Sequence, residues 1–168
     1  MNLILIGFKS SGKSAIGKKI SMMLNKNFID MDDVIADIFF ERNKKRSDVI
    51  EIYRFLKEEK FRLLEEEAFF STKNVDNSII ATSGGCILNK NNLSVFTNKK
   101  TVIYLKNSKE ILKKRISQEK RSVFNDDHFF EKEFINREKL YQQCADHIVL
   151  NDNKEILQIC DEIMRILL

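Results

Sequence analysis

The chain has 168 residues with five glycines and no proline, where average usage would give roughly twelve glycines and eight prolines. This scarcity excludes collagen-like, Pro-rich and Gly/Ser-linker architectures and disfavours a turn-dense β-sandwich, while the length suits one domain with a real core. The net charge is +4, from 29 basic and 25 acidic residues that are interleaved along the chain, without the basic stripe typical of nucleic-acid binders. We therefore expect a solvated surface, no nucleic-acid partner and a local cationic pocket for an anionic substrate.

The cysteines and the N-terminus indicate where the protein works. Cys86, Cys144 and Cys160 form no C-x-x-C pair, which argues against a disulfide framework or a zinc site and favours a reducing compartment. The apolar run Leu3–Ile6 is too short for a signal peptide or a membrane span. We expect a cytoplasmic protein that has no membrane partner.

Short apolar runs alternate with amphipathic helical patterns from end to end. Such uninterrupted runs are typical of strands buried on both faces of a parallel sheet, and the alternation predicts an α/β fold with right-handed crossovers. The predicted strands are Leu3–Ile6, Phe28–Ile29, Ser78–Ala81, Thr101–Leu105 and His147–Leu150. The first predicted helix places Ile16, Ile20, Met23 and Leu24 on one face; the last places Ile156, Ile159, Ile163 and Leu167 there, after a candidate cap at Asn151.

The segment Gly7–Ser14 fills the pattern G-x-x-x-x-G-K-[ST] between the first predicted strand and the first predicted helix. Glycine lets backbone N–H groups approach phosphate oxygens, and the N-terminus of the helix adds partial positive charge. Lys13 is expected to reach the β- and γ-phosphates, and the Ser14 hydroxyl to ligate Mg²⁺. The alternative is an incidental glycine turn, but the strand–loop–helix context favours a nucleoside triphosphate site.

Asp30 and Asp32 follow the second predicted strand. A carboxylate at the carboxyl end of that strand stands beside the phosphate loop in such folds, where it can hold the metal directly or through water. A second carboxylate two residues on can polarise the hydroxyl of a bound acceptor. The alternative is structural, with one aspartate capping a helix and the other lying in a solvated turn.

Two regions interrupt the simple alternation. Asp33–Lys73 is long, charged and mostly helical, which predicts an inserted helical subdomain. Gln118–His128 is polar and aperiodic between two helices. Either a mobile flap over a site or an ordinary surface loop has this second pattern.

The remaining candidates are a glycine pair and four arginines. Gly84 and Gly85 follow the third predicted strand, where they either let backbone approach a ligand or simply form a turn. A single arginine is most often a solvated surface group, yet Arg121 lies inside the possible flap, from which it could reach a transferring phosphoryl group. The other three are Arg62, Arg115 and Arg137.

With these positions in place, the chain resembles the shikimate kinases, a branch of the nucleoside-monophosphate-kinase-like P-loop fold, over nearly its whole length. The motifs that carry the resemblance are Gly7–Ser14, Asp30-Met31-Asp32, Phe61-Arg62 with Glu65, Gly84-Gly85, Arg121, and Arg137 ahead of Leu140-Tyr141. The resemblance implies a single P-loop kinase domain over residues 1–168, with a three-layer α/β fold and a five-stranded parallel sheet of order 2-3-1-4-5. It also implies a helical substrate-binding region at about 33–60 and a mobile lid at about 117–128.

The resemblance further implies ATP-dependent phosphorylation of the 3-hydroxyl of shikimate, in aromatic amino-acid biosynthesis, by a protein that we expect to be a monomer. Lys13, Asp32 and Arg121 would be the catalytic residues, and Ser14 with Asp30, the latter through water, would hold Mg²⁺. The nucleotide contacts it implies are Gly7, Ser10, Ser11, Gly12, Lys13, Ser14, Ala15, Arg115 and Arg121. The shikimate contacts it implies are Asp32, Arg62, Gly84, Gly85 and Arg137.

The chain departs from the family's usual pattern at several positions. Ser10 and Ser83 stand where the family usually has glycine, and Ser122 stands where proline usually follows the lid arginine. A family glycine between the substrate-region helices is also missing around Asn43-Lys44-Lys45. None of these departures removes a chemical group that the mechanism needs.

Two other functions fit part of the pattern. A related small-molecule kinase is one, because gluconate also carries a carboxylate and several hydroxyls, and nucleotide kinases share the phosphate loop. A non-catalytic ATP-binding module is the other. Such a module would not need Asp32, Arg62, Arg121 and Arg137 together.

Overall fold

The computed structural model of the protein describes residues 2–92, 100–119, 122–124 and 126–167. The strands are β1 (Asn2–Ile6), β2 (Asn27–Asp30), β3 (Ser78–Ala81), β4 (Lys100–Lys106) and β5 (His147–Leu150). The helices are α1 (Lys13–Leu24), α2 (Met31–Asn43), α3 (Val49–Ser71), α4 (Lys109–Ser117), α5 (Asp127–Cys144) and α6 (Ile156–Leu167), with a 3₁₀ turn at Cys86–Leu88. Within these ranges, no helix has the length and apolar character that crossing a bilayer requires.

The five strands form one parallel sheet in the order β2-β3-β1-β4-β5. In the centre, Leu3 pairs with Ile79 on one side and with Thr101 on the other. The predicted fold class and strand order are confirmed, and each predicted strand end lies within one residue of the observed one. The parallel arrangement brings the carboxyl ends of β1, β2 and β3 to one edge, which is where the phosphate loop, the aspartate pair and the glycine pair begin.

The core lies on both faces of the sheet, which makes the fold three-layered. Because successive side chains of a strand point to opposite faces, Leu3 and Leu5 of β1 pack with α1 and α6, whereas Ile4 and Ile6 pack with the helices of the other face. All four side chains are at most 2% exposed. The apolar β1 run is therefore explained by burial on both sides.

The predicted helix faces are confirmed except at Met23 and Ile156, since Ile16 is buried and Leu24 and Leu167 pack against the core. Ile20 and Ile163 are fully buried, but Met23 is 42% exposed and Ile156 is 44% exposed. The predicted cap at Asn151 is also wrong, since α6 begins at Ile156. Asn151 is instead buried, and its amide donates to a backbone carbonyl of the phosphate loop.

The region predicted to be a helical insertion consists mainly of α2 and α3. Asp30 and Asp48 cap the two helices through their carboxylates. Lys44 ends α2 with a left-handed φ of 53°, and its N–H donates to the Phe40 carbonyl. This conformation explains why a glycine would suit this junction. The two helices pack on each other beside β2 and so form one wall of the cleft described below.

Candidate active site

The loop Gly7–Ser14 connects the buried strand β1 to α1, and its shape depends on two glycines. Gly7 and Gly12 have φ angles of +152° and +89°, a region that side chains rarely adopt. A Cβ on Gly7 would also lie 2.9 Å from the Leu105 carbonyl oxygen. These residues therefore form the tight turn that a phosphate-binding loop requires.

Ser10 has a left-handed backbone as well, with a φ of 65°. For a residue with a Cβ this conformation costs roughly 1–2 kcal/mol, which gives a physical reason for glycine at this position. Two contacts fix it in place: its hydroxyl donates to Glu119, and its carbonyl accepts from Arg115 Nη1 at 3.1 Å. Arg115, one of the nucleotide contacts that the resemblance implies, is thus placed against the phosphate loop.

Lys13 opens α1 and points its ammonium back into the loop. Its Nζ donates to the carbonyls of Gly7 at 3.0 Å and Phe8 at 2.8 Å, and the residue is 8% exposed. Burial lowers the pKa of Lys13 to about 8, although Asp32 and Asp30 oppose the shift. An anion bound in the loop would stabilise the charged ammonium, so the site is suited to phosphate.

Asp30 ends β2 and caps α2, because its Oδ1 accepts from the Asp32 N–H at 3.1 Å. Asp30 therefore caps a helix, as the structural alternative for this residue supposed. The cap uses one of its two carboxylate oxygens. The same bond fixes the first turn of α2 and with it the position of Asp32. The helix cap formed by Asp30 therefore also positions the candidate catalytic residue Asp32.

Asp32 lies in the first turn of α2 and lines the cleft beside the phosphate loop. The residue is exposed in the cleft, and the protein atoms that surround the cleft displace part of the water around its carboxylate. This desolvation, together with the nearby charge of Asp30, raises the pKa of Asp32 to about 6, while Lys13 opposes the rise. A carboxylate with such a pKa is suited to proton transfer near neutral pH.

Arg62 comes from α3 and is held by acidic groups on its own helix. Its Nη1 donates to Glu65 at 2.8 Å, and its Nη2 lies 3.7 Å from Glu58. Burial alone would lower the pKa of Arg62, but the pairing with Glu65 raises it, so the guanidinium is permanently charged. A Cβ on Gly85 would lie 2.1 Å from Nη1, so glycine at that position makes room for the guanidinium.

Arg137 reaches the cleft from α5, on the other side from Arg62. Its Nε donates to Glu133 at 2.9 Å, its Nη2 contacts the same carboxylate, and its Nη1 donates to the Gly84 carbonyl at 3.3 Å. The guanidinium lies 5.4 Å from the centroid of the Phe8 ring of the phosphate loop. Two donors of the guanidinium thus converge on one oxygen, Glu133 Oε2, which fixes the orientation of this second cationic group.

Gly84 lies between the phosphate loop and Arg137. Its carbonyl also accepts from the buried Tyr141 hydroxyl. A Cβ on Gly84 would lie 3.0 Å from the backbone nitrogen of Lys9. The backbone of the phosphate loop therefore packs directly on this glycine.

These groups meet around a cavity of about 630 Å³. Of the predicted site residues, the structure brings the following to its wall: Ser10, Gly12, Lys13, Ser14, Ala15, Asp32, Arg62, Gly84 and Arg137. The other described candidates do not line this cavity: Gly7, Ser11, Asp30, Gly85 and Arg115. Arg121 lies outside the described residues, and its role stays a prediction.

Three acidic or aromatic residues of the site were not singled out from the sequence. Glu119 pairs with Lys9 at 2.6 Å across the cavity wall, Glu133 orients Arg137, and Tyr53 lines the cavity. The i, i+4 spacing of Glu133 and Arg137 on one predicted helix was a usable signal. No local pattern connects Lys9 to Glu119.

The described part of the predicted lid packs over the cavity. Phe124 is 8% exposed, and its ring centroid lies 5.0 Å from that of Phe8. The Ser122 carbonyl accepts from Arg54 Nη2 of α3 at 3.4 Å. The predicted end of this segment at His128 is wrong, because Asp127 and His128 already form the start of α5. Whether the segment moves stays a prediction.

The residues present fit a magnesium ion that is bound mainly by phosphate oxygens and water. Ser14 is exposed at the cavity wall, and Asp30 is within electrostatic range of Lys13. In the described ranges, no group of three or more His, Cys, Asp or Glu could hold a metal without further ligands. Mg²⁺ in nucleotide sites commonly takes few protein ligands and completes its shell with phosphate and water.

The chain is similar in sequence to known proteins over nearly its whole length. The family model described as "Shikimate kinase" matches residues 9–168. A shikimate kinase of Dictyoglomus turgidum is 36% identical to this chain, over 97% of this chain and 95% of that protein.

Solved structures of similar shape belong to proteins of the same name. The crystal structure of shikimate kinase from Aquifex aeolicus superposes with a TM-score of 0.81 at 27% identity, covering 99% of this chain and 96% of that chain. Shikimate kinase from Acinetobacter baumannii in complex with shikimate superposes with a TM-score of 0.87 at 20% identity, covering 99% and 92%. The second likeness shows the fold alone.

Proposed function

This chain belongs to the shikimate kinase family, and we propose that it transfers the γ-phosphoryl group of ATP to the 3-hydroxyl of shikimate. The products are shikimate 3-phosphate and ADP. The reaction serves the shikimate pathway, which leads to chorismate and the aromatic amino acids. A monomeric state and a cytoplasmic location stay predictions.

The observation that carries the proposal is the pair of arginines that faces one cavity beside a phosphate loop. Arg62 and Arg137 come from different helices and both line the cavity, which also contains Asp32. Two guanidinium groups suit a carboxylate, because each offers N–H donors in a planar fork. Asp32, by contrast, suits the hydroxyls of an acceptor. The cavity therefore supports a substrate that is a hydroxylated carboxylate.

Asp32 is proposed to orient the acceptor hydroxyl and to take its proton as the bond to phosphorus forms. The raised pKa of Asp32 supports this role, since the carboxylate is ionised at neutral pH yet basic enough to accept a proton. The position of Asp32 in the first turn of α2, fixed by the Asp30 cap, supports it as well.

Lys13, with the N–H groups of the phosphate loop, is proposed to bind the β- and γ-phosphates. Ser14 and, through water, Asp30 would hold Mg²⁺, which when bound neutralises phosphate charge. Phosphoryl transfer gains mostly from such positioning and charge stabilisation. Arg121 is expected to add positive charge from the lid, as the family resemblance implies.

The function is tested by coupling ADP formation to a spectroscopic readout with shikimate, gluconate and nucleoside monophosphates as acceptors. We expect turnover that needs both shikimate and Mg²⁺ and that stops when EDTA is added. Turnover on gluconate or a nucleotide but not on shikimate would assign the protein to a related kinase. ATP binding without turnover on any acceptor would indicate a binding module.

The activity should depend on pH through Asp32. Only the ionised carboxylate accepts a proton, and the pKa of Asp32 is raised to about 6. We therefore expect kcat/KM for shikimate to fall as pH drops below about 6, approaching tenfold per pH unit. The measurement is a series of initial rates between about pH 5 and about pH 8 at saturating ATP. An acidic limb that persists in the residual activity of Asp32→Asn would assign the limb to another group.

A further inference from the structure

Ser83 lies between the end of β3 and the substrate-side glycine Gly84, and it is one of the residues that line the cavity. The residue is 6% exposed, and its hydroxyl donates to Glu65 Oε1 at 2.5 Å. Glu65 itself is fully buried. A buried carboxylate needs hydrogen-bond partners for both oxygens, because an unpaired buried acceptor is costly.

The second oxygen of Glu65 completes a chain of contacts that leads to the cavity. Glu65 Oε2 accepts from Arg62 Nη1 at 2.8 Å, so the carboxylate bridges the Ser83 hydroxyl and the guanidinium. Arg62 is in turn packed against Gly85, which leaves its Nη atoms little room to move. The chain runs from a buried hydroxyl, through a buried carboxylate, to a cationic group on the cavity wall.

We propose that Ser83 is a positioning residue for the carboxylate-binding arginine. Its hydroxyl satisfies one oxygen of Glu65, so that Glu65 engages Arg62 through the other oxygen alone and leaves guanidinium N–H donors for the substrate. This inference rests on the proposed function, since it concerns how the same cavity binds the shikimate carboxylate.

Loss of the Ser83 hydroxyl would change how the Glu65 carboxylate binds the Arg62 guanidinium. With alanine at this position, Oε1 has no donor from residue 83, whereas the Arg62 guanidinium already binds the other oxygen of the same carboxylate. Glu65 would then turn both oxygens toward Arg62, because Arg–carboxylate pairs favour the bidentate geometry. The N–H groups used in this way are lost to the substrate, while the phosphate loop and Asp32 are left in place.

The test is the Ser83→Ala variant, with shikimate and ATP affinities measured separately. We expect Kd and KM for shikimate to rise about tenfold, a loss within the range for a buried hydrogen bond to a charged group. The KM for ATP and kcat should stay within about twofold, because the Ser83 hydroxyl donates to Glu65 and not to the phosphate loop or to Asp32. Binding of shikimate is measured by calorimetry, which does not depend on turnover.

A second ligand separates positioning from general damage to the cavity. The methyl ester of shikimate lacks the negative charge that Arg62 is proposed to bind. We expect its weaker binding to be nearly unchanged by Ser83→Ala, so that the loss is specific to the carboxylate. Ser78→Ala is the matched control, since Ser78 is a fully buried serine at the start of β3, and its hydroxyl donates to the Asp76 carbonyl.

Two results would overturn the proposal: an unchanged shikimate Kd in Ser83→Ala, or an equal loss for the acid and its ester. If the alanine variant does not fold, Ser83→Gly removes the same hydroxyl and must also weaken shikimate binding relative to wild type. Failure of the wild-type protein to phosphorylate shikimate would refute the proposed function instead, so the two outcomes are distinguishable.

Discussion

Asp32→Asn is expected to lower kcat with shikimate by about 10³, within the range that general-base groups contribute. Asparagine has nearly the same shape, but it is neutral and cannot take the proton of the acceptor hydroxyl. ATP affinity should stay within about twofold, because the phosphates are bound by the loop and by Lys13. Steady-state kinetics gives the first quantity, and titration with a fluorescent ATP analogue gives the second.

Thermal unfolding provides an independent check of this variant. The pKa of Asp32 is about 6 in the folded protein against 3.8 ordinarily, so the folded state disfavours the ionised form. Above about pH 6 the neutral asparagine should therefore raise Tm relative to wild type, and the difference should vanish below about pH 4, where both states are protonated. Asp37→Asn, an exposed position on the same helix, is the control. If Asp32→Asn weakened ATP binding as strongly as it lowered kcat, the role of Asp32 would be structural.

Lys13→Met is expected to lower kcat by about 10²–10³ and to raise KM for ATP, because methionine keeps the length of the side chain and removes its charge. The ammonium is the group proposed to neutralise the β- and γ-phosphates. Its burial makes replacement by solvent cations inefficient. Kinetics over a range of ATP concentrations separates the two effects.

Loss of the Lys13 ammonium also leaves the Gly7 and Phe8 carbonyls without that donor, so folding must be checked by circular dichroism. Lys18→Met is the matched control, since Lys18 is exposed on the same helix. If kcat in Lys13→Met equals that of the control, the phosphate charge is neutralised by another group.

The strands were predictable because burial on both faces of a parallel sheet leaves an uninterrupted apolar run, as in β1 and β3. The strand order came with the family resemblance, since apolar runs do not say which strands are neighbours. Burial near the helix ends was harder to predict. Met23 continues the apolar spacing of α1 but lies near its end, where Asn25 turns the chain with a φ of 51°. Asn151 looks like a cap, yet it is used in a contact with a loop that is distant in sequence.

In the site, too, features that depend on short sequence spacings could be predicted, whereas contacts between residues distant in sequence could not. The phosphate loop and the aspartate pair were predictable, because their chemistry depends on short fixed spacings next to strands. The partners of Arg62 and Arg137 lie three and four residues away on their own helices, so helical spacing could have indicated them. The Lys9–Glu119 pair and the bond from Ser83 to Glu65 join residues whose proximity only the folded chain creates.

The close packing of Gly84 against the backbone of Lys9 has a thermodynamic consequence. Because the two backbones are adjacent at Gly84, a nucleotide that shifts the phosphate loop can also shift the acceptor side of the cavity. The free energies of the two binding steps are then linked, and linkage is reciprocal: whatever factor ATP applies to the affinity for the acceptor, the acceptor applies to the affinity for ATP. The absence of a side chain at Gly84 thus gives the two substrates a direct route by which each can change the affinity for the other, by the same factor whichever binds first.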